Sequence, residues 1–281
     1  MPAIVRSYSQ VIDDSFQVAF KRGVAGMAAQ AANILPLMWM RTIMEYQYKH
    51  GGSFTSVVQK LYAEGGVPRF YRGLVPALAL APLARFGDAA SNELALASLA
   101  ETNVPLALKT VCASATAATF RVIIMPLDSW KTTKQVQGKE GLQMLLKKTR
   151  SHPAAFWHGG TTVFLVTLGG HYPFWFTRNH LQEALPPFTF SYGKYVRNAV
   201  IGFLSSIVSD TLCNPVRVLK VQRQTSPVPV GYFEAGREIL AAEGLLGLWG
   251  RGLKTRIMSN GIQGSVFMVV WNIMVDVLEK Y

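Results

Sequence analysis

Three prolines at one fixed spacing constrain this chain more than any other feature. Pro36, Pro126 and Pro215 lie 90 and 89 residues apart, in PLMWMR, PLDSWK and PVRVLK, and a cation follows each five residues later. A second feature keeps step with them: FYRG ending at Gly73, FWHG at Gly159 and WGRG at Gly252. A third, an acid–glycine pair nine residues before that glycine, is present as Glu64-Gly65 and Glu243-Gly244, whereas the middle copy has SHPAAFWHG instead. Joint recurrence at one period identifies three copies of a supersecondary unit stacked into one architecture. The copies fall at 20–100, 105–188 and 194–280, within a single membrane domain over 1–281.

Each copy has the same internal order: an apolar segment ending in the proline motif, a basic connector, the aromatic-x-Gly turn and a second apolar segment. A spanning helix needs roughly 20 mainly apolar residues. Gly23–Met40, Gly159–Thr177 and Ile257–Val275 are uncharged and meet or nearly meet that length. Three more stretches are apolar but interrupted: Gly73–Ala84 runs into Arg85 and Asp88, Thr110–Phe120 into Arg121, and Asn198–Ser209 into Asp210. Charges within spans face protein or a wet cavity, so all six are expected to be helices, three of them lining something wet. Lysine and arginine number 5, 6 and 6 in the connectors 41–72, 131–158 and 220–256, against 1 and 2 in 94–109 and 179–197. An imbalance of that size puts the three long connectors on the inside and both termini on the other side.

Composition removes other classes. Half of the chain is hydrophobic and 16% is charged, below the ~25% of a soluble domain. The net charge of +12 would suit nucleic acid if the basic residues clustered on one exposed face, but here they alternate with long apolar stretches. Cys112 and Cys213 stand far apart in apolar surroundings with no metal spacing. No nucleophile–base pair or phosphate loop is present, which argues against an enzyme. The N-terminal MPAIVRSYSQVIDDSFQ lacks the layout of a signal peptide, and its two aspartates argue against a cleaved transit peptide.

Three repeats of about 90 residues, each with Pro-x-acid-x-x-cation closing one helix and aromatic-x-Gly opening the next, resemble the mitochondrial carrier family, with PLDSWKTTKQ the fullest copy of the motif. The resemblance implies an all-α membrane protein, with six transmembrane helices in pseudo-threefold repeats around a central cavity and three short matrix-side helices. It implies the mitochondrial inner membrane, alternating access for a small solute, and no cofactor or metal. It also implies cardiolipin phosphates at Arg72 and Gly73, at Gly159, and at Arg251 and Gly252, where helix N-termini attract anions.

In such a fold the prolines Pro36, Pro126 and Pro215 kink three helices toward one axis, and an acid and a cation from successive repeats pair there. The matrix-side pairs carried over are Met38–Lys131, Asp128–Lys220 and Arg217–Arg41, with Gln222 at a bracing position and Ile43 and Thr133 filling the other two. One pair is a salt bridge, one has lost its acid, and one opposes two arginines. The cytoplasmic-side gate positions are Glu93, Asn179 and Asn272, with Leu96, Gln182 and Val275 where cations are expected.

The implied substrate contacts are Leu80/Ala81, Val166/Thr167 and Ser259/Asn260, with Arg85, His171, Gly264 and Gln263 deeper in the cavity. Arg85 either holds a carboxylate or phosphate through its fork of donors or pairs with Asp88. His171 is a packing residue or a proton carrier, and Arg256 is structural or binding. Arg121 and Asp210 both lie five residues before their proline. They form a buried ion pair or couple a solute or proton.

Two functions fit. One is exchange of a small anionic metabolite, resting on the surplus of cations at the closure positions. The other is a transport-inactive relative serving as an accessory subunit of a larger inner-membrane complex, respiratory or ATP synthase. The degenerate gates favour the second, since a carrier needs two closed states held by contacts that can break.

Overall fold

The computed structural model describes residues 34–99 and 106–263, and every regular element among them is helical. In chain order these are α1 (34–50), α2 (Phe54–Phe70), α3 (Leu74–Ser98), α4 (Leu106–Ile123), α5 (Met125–Gln137), α6 (Gly141–Ser151), α7 (Gly160–Ala184), α8 (Gly193–Thr225), α9 (Tyr232–Gly250) and α10 (253–263). Within each repeat a long helix is followed by a connector helix, a glycine turn and another helix, as the repeat predicts. Among the described residues α8 alone is long and apolar enough to cross a membrane, and Val111–Ile123 with Met125–Ser151 qualifies as a pair bent by 62°. The six expected spans are therefore not all recovered by length and hydropathy. Gly23–Met40 and Ile257–Val275 run largely or partly outside the described residues, and α7 is rich in glycine, threonine and aromatic side chains.

The chain divides into two compact units whose boundaries cut across the repeats. One contains Arg72–Leu168 and Arg223–Pro229; the other contains Leu37–Tyr71, Gly169–Gln222 and the described residues from Val230 onward.

In the first unit α3 packs on α4 and α5, and α5 packs on α6 and the 3-10 turn Pro153–Trp157. The break between α4 and α5 falls at Ile124, which puts Pro126 in the first turn of α5. There its missing N–H costs nothing, because the first helical N–H groups have no partner in any case. α6 buries Gly141, Leu145 and Lys148, one face at helical spacing. The Lys148 ammonium donates to the carbonyls of Arg223 and Ser226, both at 2.9 Å. A cation on the last carbonyls of a helix opposes the negative end of its dipole.

In the second unit α2 lies against α1 through Ile43, Tyr46, Val57, Leu61 and Phe70. Ser53 starts α2 by accepting from the Ser56 N–H at 3.2 Å, a cap of about 1 kcal/mol. The acid–glycine pairs mark where the connector helices bend. Gly66 (φ 62°) and Gly244 (φ 64°) are left-handed, and each preceding acid holds a cation further on. Glu64 takes Arg69 at 2.8 Å, while Glu243 takes Arg251 on both oxygens at 2.7 and 3.0 Å. The middle repeat lacks the pair and turns differently: α6 ends at an extended His152 before Pro153, and a 3-10 turn follows.

All three repeat glycines are left-handed, with φ of 90° at Gly73, 102° at Gly159 and 68° at Gly252. Each opens the next helix in the same way, its carbonyl accepting from the N–H four residues on: Ala77 at 3.0 Å, Val163 at 2.9 Å and Arg256 at 2.9 Å. A Cβ on Gly252 would stand 2.7 Å from the Tyr48 ring, and one on Gly73 would stand 3.0 Å from the Lys131 carbonyl. Gly252→Ala is expected to cost about 1–3 kcal/mol, read as a lowered thermal midpoint of the purified protein. Gly169→Ala, where a Cβ meets nothing within 4 Å, should leave the midpoint unchanged or raise it.

Candidate functional site

The turns that open α3, α7 and α10 are fastened to the preceding long helices by one repeated contact. A polar side chain from the long helix donates to the carbonyl three residues before each repeat glycine. Thr42 donates to Phe70 at 2.6 Å, Ser129 to Phe156 at 2.7 Å, and the Asn214 amide to Trp249 at 2.9 Å. Asn214 also reaches the carbonyls of Leu248 and Arg251. Relative to the proline, the donors stand at +6, +3 and −1. Steps of three and four residues keep one helix face while moving one turn, so the contact repeats although the residue and its register do not.

A charge cluster lies in the second unit, around Asp210 on α8. One carboxylate oxygen forms ion pairs with Arg256 at 2.7 Å and Arg217 at 3.0 Å, and the other accepts from the Asn260 amide at 2.6 Å. Arg217 also donates to the Asp210 main-chain carbonyl at 3.2 Å. Arg217 stands seven residues beyond Asp210, two turns along one face, with Pro215 between them. Arg256 and Asn260, four apart on α10, present one face to Asp210. Ser209 donates to the Gly170 carbonyl at 3.0 Å. Asp210 is 4% exposed, and a buried carboxylate is tolerated only when paired and hydrogen-bonded in this way.

A second cluster, in the first unit, surrounds Asp128. Its oxygens take Lys131 at 3.2 Å and the Gln224 amide at 3.1 Å, and Gln224 also donates to the Ser129 hydroxyl at 3.2 Å. Gln137 holds the Thr225 carbonyl at 3.0 Å. His158, the x of the middle aromatic-x-Gly turn, is pushed down to about 4 by burial and by the charges of Lys148 and Arg223.

These placements refine the sequence expectations. Arg217, expected to oppose Arg41, turns back along its own helix to Asp210. Pro215, expected to kink α8, sits in a helix unbroken from Gly193 to Thr225, with Arg217 spanning the proline. Asp210, expected to meet Arg121, is held by Arg217, Arg256 and Asn260, while Arg121 belongs to the other unit. Met38 is fully buried. Met38 and Lys131 fall in separate units, as do Asp128 and Lys220. Gln222 donates to Glu238 at 3.3 Å.

Of the substrate candidates, Asn260 and Ser259 lie at or beside the Asp210 cluster, and Gln263 is half-buried. Thr167 spends its hydroxyl on the Val163 carbonyl one turn back. Arg251, expected at a lipid phosphate, is taken up by Glu243 and by the Lys49 carbonyl at 3.0 Å. Its side chain is only 9% exposed. Arg72 is half-buried and Asn179 exposed. Asn272 lies outside the described residues, as do the side chains of Arg85, Glu93 and His171.

Sequence reasoning passed over Thr42, Ser129, Asn214, Tyr48, Lys148 and Gln224. Gln224 had a signal, standing two residues beyond the bracing position in QRQ. The donors Thr42, Ser129 and Asn214 had none, because their registers differ.

A family model described as mitochondrial carrier protein matches residues 14–101 and 192–281, the first and third repeats. No curated protein matches the chain.

Asn214→Ala leaves carbonyls at the end of α9 without a donor and is expected to cost about 1–3 kcal/mol. Asn214→Asp, of the same shape but with an acceptor in the donor's place, should cost more; thermal unfolding ranks the two. The folded His158 titrates near 4, below its ordinary 6.5, so the folded state binds fewer protons than the unfolded one between those values. Its contribution is complete above about 6.5 and is lost as pH falls toward 4. His158→Gln should flatten that part of a stability–pH profile.

Proposed function

The chain belongs to the mitochondrial carrier family, and from that premise we propose that it exchanges a small anionic metabolite across the inner membrane by alternating access. Members of the family are transporters of the mitochondrial inner membrane rather than enzymes. The observation that carries the sign of the solute is the charge at Asp210, one carboxylate against the guanidiniums of Arg217 and Arg256. In a low-dielectric interior that excess favours an arriving carboxylate or phosphate. Arg41 and Lys220, which share that unit, are further cations at the closure positions, and Arg85 is the residue assigned to the solute itself.

In this reading six tilted helices surround the solute path. The three basic connectors face the matrix and both termini face the intermembrane space. Cardiolipin phosphates rest on the N–H groups that open α3, α7 and α10, because the Arg251 fork is already engaged.

The same cluster supports a second reading, an accessory subunit of a larger inner-membrane complex. Asp210 fastens α8 to α10, and a carrier held in one state does not cycle. Purified protein in liposomes, loaded with and exposed to a panel of carboxylates and phosphates, separates the two. Exchange of at least one solute, abolished by Arg85→Ala, is the expected result. Inactivity across the panel, together with migration of the endogenous protein in a particle the size of a respiratory or ATP synthase complex on native gels, would establish the second reading instead.

A further inference from the structure

Two exposed apolar surfaces of the third repeat meet, and a groove lies at their junction. Val200, Leu204, Val208 and Leu212 are exposed along α8 at steps of four residues, and the residue after each is buried. Steps of four form one ridge of a helix, and on a helix long and apolar enough to cross a membrane an outward apolar ridge faces acyl chains. Leu219 lies 19 residues after Val200, about 28 Å along a helix, close to the ~30 Å of a hydrocarbon core. At that depth Leu219 forms one side of a groove of about 740 Å³, and α9 forms the other through Phe233, Gly236, Arg237 and Leu240. α9 buries Ala235 and Ile239 on its inner face, so Phe233, 85% exposed, stands at the mouth. Gly236 keeps the groove open, since a Cβ there would already touch Leu219 at 3.5 Å.

The rim carries both signs of charge. Arg237 is exposed, and Glu234, one turn before it on α9, is exposed too. Glu234 also accepts from the Gly231 N–H at 3.4 Å, while Glu238 accepts from Gln222. We propose that the groove holds a zwitterionic phospholipid of the matrix-facing leaflet. One acyl chain lies between Leu219 and Leu240, the phosphate meets the Arg237 guanidinium, and the ammonium meets Glu234. The guanidinium fork suits a phosphate, and an acid beside it suits a headgroup that carries a cation as well. An extended polypeptide would bring N–H and C=O groups that leucine, phenylalanine and glycine cannot satisfy, whereas an acyl chain brings none. The site lies on the flank of α9, away from the helix N-termini assigned to cardiolipin phosphates. It rests on the membrane placement in the proposed function, and not on transport.

The full chain in vesicles of equal parts phosphatidylethanolamine and phosphatidylglycerol tests this. A trace of one lipid or the other carries a diazirine in one acyl chain, and mass spectrometry locates the adducts after photolysis. Adducts at Leu219, Phe233 and Leu240, relative to those at Leu204 and Val208, should be at least about fivefold higher with labelled phosphatidylethanolamine than with labelled phosphatidylglycerol. Arg237→Gln and Glu234→Gln, the second of which keeps the helix cap, should each reduce that preference to within about twofold. Gly236→Leu, which fills the groove, should lower groove adducts from both lipids at least about fivefold and leave the ridge adducts unchanged. Where Gly236→Leu does not reconstitute, Leu240→Gln at an exposed position should lower them about threefold. Glycerophosphoethanolamine, the headgroup without chains, should displace nothing.

Ridge adducts without groove adducts, equal labelling by the two lipids, or unchanged groove adducts in Gly236→Leu or Leu240→Gln each overturn the proposal and leave the transport reading standing. Displacement by the free headgroup overturns it in favour of a soluble ligand. A groove labelled in vesicles but shielded in native inner membranes overturns it in favour of a protein partner. Loss of ridge and groove adducts together overturns the membrane placement itself.

Discussion

A helix that stops inside an apolar environment leaves its last carbonyls without donors, and each such orphan is costly where water cannot reach it. This chain must stop and restart helices repeatedly, and the described structure is organised around satisfying those ends. Thr42, Ser129 and Asn214 each spend a side-chain donor on the carbonyl three residues before a repeat glycine. Lys148 and Arg251 supply the carbonyls near the ends of α8 and α1. Once those ends are fastened, the left-handed glycine that follows can only start the next helix where it does. The carbonyls of Phe70, Phe156 and Trp249, ahead of α3, α7 and α10, are thus each held by a donor from an earlier helix.

The same requirement gives the basic connectors a structural meaning. Loop asymmetry in lysine and arginine assigns a side of the membrane, yet two of these cations are spent mainly on protein groups. Lys148 is 4% exposed, and Arg251 is bound through its whole fork. A cation at a helix C-terminus opposes the dipole and satisfies carbonyls in one contact. Part of the positive surplus is accordingly built into helix ends, and only the remainder is free to act on a solute or a lipid.

The features written at a fixed period were legible before any coordinates. The glycines Gly73, Gly159 and Gly252 could be read as turns because their left-handed conformation restricts the residue type. The acid–glycine pairs could be read as a recurrent element because their spacing is strict, and the middle repeat, which lacks the pair, does turn differently. The donors to the carbonyls were hidden, because a helix face tolerates a shift of one turn, so Thr42, Ser129 and Asn214 occupy three registers and three residue types. The partners of Asp210 were hidden for another reason. Threefold symmetry suggested Arg121, at the same level, whereas a flexible arginine two turns away on the same helix, and a second arginine on α10, reach the carboxylate first.

Asp128 and Asp210 show what the altered motif does to the fold. Asp128 stands two residues beyond its proline, where the motif places an acid, and its carboxylate holds Gln224 from the end of α8. It is thus an acid used between repeats. Arg217 stands at the equivalent place and is used within a repeat, because it pairs with Asp210 behind it on α8. Substituting a cation for an acid there does more than delete one contact. A guanidinium at 217 both loses the partner an acid would have had and gains Asp210, which an acid would have repelled. Residue 217 is therefore tied to its own helix, through the carboxylate and the main-chain carbonyl of Asp210. Pro215 lies inside α8, which continues through it from Gly193 to Thr225, whereas Pro126 lies in the first turn of a new helix.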